Sequence, residues 1–197
     1  MKVLFINACI RGKSSRTARL CRAALGEISA IWEDTELMEA DLNRKLPLPL
    51  DAERLQKRSQ WLSAGNFSDP MFDYAKEFAQ ADMIVVGAPY WDLSFPALLK
   101  IYLEQTCVNG ITFYYDEMGK VQSLCAARKV LYITTAGGFI GEDNFGYQYI
   151  QGLFLHHYGM PGVDFVSAEG LDIVGATEER ILGGAERTVR AIIQSWK

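Results

Sequence analysis

Short apolar runs at residues 3–6, 83–87, 130–134 and 165–168 alternate along the chain with segments of helical periodicity. A run of four or five apolar residues without polar alternation suits a strand covered on both faces, as in a parallel sheet. A weaker run at 36–38 adds a fifth strand. Helical spacing occupies 15–30, 69–81, 96–105, 144–158 and 177–196, and in the last of these Ile181, Ala185, Val189, Ile192 and Ile193 form one stripe. Strands alternating with helices require right-handed crossovers, so the expected architecture is doubly wound α/β, a central five-stranded parallel sheet flanked by helices. Residues 112–115 read as a short extra strand, 51–62 as a further helix, and the proline-bearing 42–51 as a surface connection within the same unit. Residues 1–197, 49% of them apolar, are enough to build one core and read as a single domain.

The charge balance narrows the function classes. Lys and Arg number 20 against 24 acids, a net charge of −4, which provides no basic footprint for nucleic acid. The longest apolar stretch, 83–91, is about half of what a membrane-spanning helix needs. The apolar start is broken by Asn7 and followed by Arg11 and Lys13 where an export signal would have small residues, so no signal is expected. Cys9, Cys21, Cys107 and Cys125 are scattered without a CxxC pair, as reduced thiols of a cytoplasmic protein are, and no metal site is expected.

In a doubly wound sheet, ligands bind beyond the carboxyl ends of the strands, where the winding reverses. The loops there read NACIRGKSSRT, APYWDLSFP and TTAGGFIGEDN. The first brings Gly12, Lys13, Ser14, Ser15 and Thr17 to a helix N-terminus, where free amides and hydroxyls favour an anion. Helix capping alone would also employ Ser15 and Thr17. NACIRGKS is close to a Walker A loop, but Asn7 stands in place of the first glycine and the strand at 83–87 runs into Ala88 and Pro89, without an acid to hold magnesium. In the second loop Tyr90 and Trp91 offer flat surfaces directly after a strand. In the third, Gly137 and Gly138 let the backbone approach a ligand. A phosphate cradle, an aromatic loop and a glycine loop at successive strand ends match the phosphate, ring rim and pyrimidine edge of FMN.

With these segments the sequence resembles the flavodoxin-like NAD(P)H:quinone oxidoreductases and the FMN-dependent NADH azoreductases. Ser15-Arg16-Thr17 falls where azoreductases carry a serine-x-serine phosphate motif; APYWDLSFPALLKIYLEQ resembles their aromatic loop and following helix; GITFYYDEMGK, TTAGG and FVSAEGL resemble later strands and the glycine loop. The resemblance implies a flavodoxin-like fold and FMN held by Ser15, Arg16 and Thr17 at the phosphate, with Cys9 close by. It places Pro89, Tyr90, Trp91, Asp92 and Leu93 along the ring, and Thr135, Gly137 and Gly138 at its far edge. It further implies two-electron transfer from NADH or NADPH to a quinone or azo acceptor, and a homodimer. Phe113, Tyr115 and Phe139 would line the acceptor pocket. Asp92 stands where azoreductases usually have asparagine, and Ala136 where some have arginine. No side-chain acid or base is required by this chemistry, and none is assigned; His156 and His157 read as helix-end or interface residues. A one-electron flavodoxin-type carrier and a P-loop-like nucleotide enzyme are the alternative readings.

Overall fold

The computed structural model describes all of residues 1–197. Strands β1 (Lys2–Asn7), β2 (Glu36–Asp41), β3 (Met83–Gly87), β6 (Lys129–Thr135) and β7 (Asp164–Ala168) form one sheet in the order β2-β1-β3-β6-β7. Every pairing in it is parallel. The chain steps from β1 outward to β2, then returns to place β3 on the other side of β1. The winding therefore reverses between β1 and β3, the doubly wound pattern expected from the sequence.

The strand pleat sends alternate side chains to opposite layers. Val3 and Phe5 of β1, Met83 and Val85 of β3, and Leu131 and Ile133 of β6 pack with α1 (Arg16–Ile31) and α6 (Glu178–Ser195). Leu4 and Ile6, Ile84 and Val86, and Val130 and Tyr132 face the other layer, formed by α3 (Asp73–Gln80), α4 (Ala97–Thr106) and α5 (Phe145–His156). Phe78, Phe154 and Tyr158 meet edge to face or tilted in that second core. Of the stripe read on the last helix, Ala185, Val189 and Ile193 are buried and Ile181 and Ile192 are half-buried against the same core, while Leu182, outside that stripe, is buried with them.

Two elements depart from the sequence expectation in extent. Strand β2 runs to Asp41, beyond the apolar 36–38, because as an edge strand it needs little apolar cover. The short strand β4 (Phe113–Tyr115) has an antiparallel partner, β5 (Val121–Ser123), that the sequence did not single out. The turn between them is tied by Asp116, whose carboxylate accepts from the Met118 and Lys120 amides and from Gln122. Helix α2 (Ala52–Ser63) buries no residue and is capped by Asp51, which accepts from the Arg54 amide. The 42–51 connection is pinned where Gln105 of α4 donates to the Leu48 carbonyl. No helix is long and apolar enough to cross a membrane.

Candidate functional site

At the carboxyl edge of the sheet, beside the β1/β3 reversal, lies a cavity of about 180 Å³. Its walls come from the loops after four strands: Ile10, Arg11, Ser15, Arg16 and Thr17 after β1; Pro89, Tyr90 and Trp91 after β3; Thr135, Ala136 and Gly137 at the end of β6; and Asp172 after β7.

The first wall is the start of α1. A single 3-10 turn at Gly12–Ser14, entered through Gly12 at φ +55°, brings the chain round to Ser15. That positive φ suits glycine alone among the loop residues. Ser15 is extended and caps the helix, its hydroxyl accepting from the Ala18 amide at 3.2 Å. The Arg16 and Thr17 amides have no backbone acceptor, as expected of a first helical turn. With the positive end of the helix dipole these donors make an anion site. Thr17 is buried and its hydroxyl meets that of Thr135 at 2.7 Å, which couples this wall to the end of β6.

The second wall is the aromatic loop. Tyr90 is anchored at both ends, its amide donating to the Thr135 carbonyl at 3.0 Å and its hydroxyl to the Asp143 carbonyl at 2.9 Å. After it the chain reverses tightly: Trp91 and Ser94 exchange both backbone hydrogen bonds, 3.1 and 2.7 Å, around Asp92 at φ +48° and Leu93 at φ +65°. Two positive-φ residues in a two-residue loop are the geometry of a type I′ turn, normally left to Asn and Gly. Here Asp and Leu hold it against a cost of about 1–2 kcal/mol for a left-handed L-residue. The turn leaves Trp91 44% exposed at the cavity mouth.

The third wall is the glycine loop and the segment beyond β7. The Asp172 amide donates to the Gly137 carbonyl at 2.9 Å, and its carboxylate fills the space beside Gly137: a Cβ there would lie 2.3 Å from Asp172 Oδ2. The glycine thus makes room for a neighbouring carboxylate. Across the cavity, Arg16 Nη1 reaches Asp172 Oδ1 at 2.7 Å and Arg16 Nε reaches Glu178 Oε2 at 3.0 Å. One turn further along α1, Arg19 pairs with Glu179 at 2.7 Å and Glu186 at 2.8 Å.

Of the residues singled out from the sequence, Ser15, Arg16, Thr17, Pro89, Tyr90, Trp91, Thr135 and Gly137 converge on this one cavity. Gly138 lies next to it, with open space where a Cβ would be. Asp92 and Leu93 are outside the lining, carried to the tip of the turn, where both are exposed. Cys9 is buried below the loop, its thiol donating to the Gly87 carbonyl at 3.5 Å. A hydrogen bond with Cys21 lowers the Cys9 thiol below its ordinary value, against the opposing effect of burial. Phe113 is 6% exposed and packs on His157, ring centroids 4.1 Å apart, within the chain's own interior. Tyr115 shares its face of the strand and is exposed, as is Phe139 at 78%. Neither lines the cavity formed by the single chain. The sequence reading missed Ile10, Arg11, Ala136 and Asp172. The first three lie within the quoted loops without having been assigned a role, whereas Asp172 had no signal. A Walker-type cradle is not built here, since Asn7 is occupied elsewhere: its Nδ2 donates to Glu39 and its Oδ1 accepts from the Cys9 amide.

A family model described as flavodoxin-like fold matches residues 1–193. Among relatives in sequence, FMN-dependent NADH:quinone oxidoreductase 2 of Clostridium acetobutylicum is 34% identical over 187 residues, covering 92% of each chain. The FMN-dependent NADH:quinone oxidoreductase of Gluconobacter oxydans is 31% identical over 204 residues, covering 98% of this chain and 100% of that one. Among solved structures, an FMN-dependent NADH-azoreductase from Bacillus anthracis in complex with FMN superimposes with a TM-score of 0.83 at 19% identity, over 99% of this chain and 98% of that one. The NAD(P)H:quinone oxidoreductase of Methanothermobacter marburgensis does so with a TM-score of 0.75 at 16% identity, over 100% and 99%. At these identities the structural matches establish the shared fold.

Proposed function

The chain belongs to the flavodoxin-like fold family, together with FMN-dependent NADH:quinone oxidoreductases, and from that premise we propose that it is an FMN-dependent oxidoreductase passing two electrons from NADH to quinone or azo acceptors. The observation that carries this reading is the convergence of an anion-binding helix start, an aromatic loop and a glycine loop on one cavity at the strand-order reversal. The residues fit the cofactor chemically. Ser15 and Thr17 hydroxyls and the free amides of Arg16 and Thr17 suit a phosphate, and Tyr90 and Trp91 suit the rim of a flat ring. Thr135 and the Ala136–Gly137 backbone supply polar groups for a heterocyclic edge. When bound, FMN supplies the hydride and electron chemistry, and the protein binds, orients and shields it.

A cavity of about 180 Å³ is small beside the roughly 300 Å³ or more of a typical cofactor pocket, so the single chain would leave part of a bound flavin uncovered. Trp91 in the lining is exposed, as are Leu93 and Phe139 on the loops that carry two of the walls. A homodimer in which a second copy covers the ring, with Tyr115 and Phe139 available to the acceptor, completes the site. Phe113 serves it from beneath, by holding the β4 strand on His157. NADH is the proposed donor, with NADPH a competing substrate to be measured beside it, and the four free thiols accord with a cytoplasmic setting. Steady-state kinetics with NADH and a benzoquinone test the proposal. Donor and acceptor stacking in turn on one ring face give parallel double-reciprocal lines. Intersecting lines would refute the shared face, and absence of NADH oxidation would refute the enzyme in favour of a one-electron carrier.

A further inference from the structure

Building on the flavin reading above, we propose that the Arg16 guanidinium acts as a strut on Asp172, not as a ligand of the FMN phosphate, and that this pair sets the width of the cofactor pocket. The Arg16 guanidinium is already engaged twice, at 2.7 Å with Asp172 and at 3.0 Å with Glu178. One cation between two carboxylates leaves the cluster with a net negative charge. A phosphate that recruited Arg16 would have to displace Asp172, leaving that carboxylate beside the incoming anion. The helix start offers what the phosphate needs without this conflict: the Ser15 and Thr17 hydroxyls and two amides lacking acceptors.

Asp172 is fixed to the opposite wall. Its amide is bonded to Gly137 at 2.9 Å, and its carboxylate occupies the space that glycine leaves open. The Arg16–Asp172 contact therefore connects α1 to the glycine loop, the two walls between which the cofactor must sit. Losing either partner removes this tie and leaves the walls joined through the Thr17–Thr135 hydroxyl contact. Phosphate recognition stays with the backbone and hydroxyls of α1.

Titrating apoprotein with FMN and, separately, with riboflavin distinguishes a strut from a ligand, because only a phosphate ligand discriminates between the two flavins. For Arg16→Gln and Asp172→Asn, riboflavin, which carries no phosphate, is expected to weaken by about two- to fivefold along with FMN. The double variant is expected to be no weaker than the poorer single one. Arg16→Lys, which keeps one contact to Asp172, restores most of the affinity. The visible circular dichroism of bound flavin changes in Asp172→Asn, a signal that an ion pair serving stability alone would not move. Asp172 is 64% exposed in its side chain, so its variant carries the test even if Arg16→Gln folds poorly. A loss confined to FMN in Arg16→Gln, or additive losses in the double variant, overturns the strut while leaving the flavin reading intact. Failure of the unmodified protein to bind either flavin overturns both.

Discussion

Replacing Ser15 with alanine separates the cofactor role of this residue from its role as a helix cap. Ser15 is buried and its hydroxyl accepts from the Ala18 amide at 3.2 Å, so its loss removes the cap of a 16-residue helix. Cap removal costs about 1 kcal/mol, which in a chain of this size lowers the melting temperature of the apoprotein by about 2–4 °C. If the same hydroxyl also donates to a phosphate, FMN binding loses a further hydrogen bond to a charged group, about 1.5–3 kcal/mol. At about 1.4 kcal/mol per decade, the dissociation constant rises by roughly one to two orders of magnitude. The two effects are read independently, by calorimetry of the apoprotein and by fluorescence titration with FMN. A lower melting temperature with unchanged FMN affinity would return Ser15 to plain capping and refute the phosphate assignment.

Other expectations follow from single features of the site. Leu93→Asn places a residue tolerant of positive φ in the turn at +65°, and should raise the melting temperature by about 2–4 °C for about 1 kcal/mol of relieved strain; a fall would show that the Leu93 side chain stabilises the turn by more than the strain costs. Gly137→Ala brings a methyl to within 2.3 Å of the Asp172 carboxylate, so Asp172 should swing out and FMN affinity should drop as it does in Asp172→Asn; a crystal structure of the variant with Asp172 in place would contradict this. His157, held below its ordinary value of 6.5 by burial, protonates more readily in the unfolded chain. Its contribution to stability is therefore complete above that value and is lost as the pH falls from about 6.5 toward the lower folded value. His157→Phe should flatten the decline in melting temperature between about pH 7 and about pH 5.5, and an unchanged slope would assign that decline to other groups.

The strands were legible where burial leaves no alternative. β1, β3 and β6 are covered on both sides and read as uninterrupted apolar runs, and β7 follows the same logic in part. β2 was only half legible, since at the sheet edge Glu36 and Glu39 are exposed and interrupt the run. β5 went unread because Val-Gln-Ser buries nothing and exists only as the partner of β4. The site was legible through topology: knowing where the winding reverses selects three loops, and eleven of their residues meet in one cavity, eight of them singled out from the sequence. Asp172 escaped because a lone acid after the last strand is indistinguishable in sequence from a solvated turn. The I′ turn escaped because Asp92 and Leu93 lack the Asn-Gly signature of that geometry, which also explains why Asp92 sits at the turn tip and outside the lining.

Anaerobic titration of the FMN-loaded protein with NADH, followed by addition of a benzoquinone, tests the proposed chemistry most directly. The flavin absorbance should bleach fully at about one NADH per flavin and return with about one quinone, as a two-electron enzyme requires. Absorbance that NADH leaves unchanged, or that quinone fails to restore, would contradict an NADH:acceptor oxidoreductase built on this site.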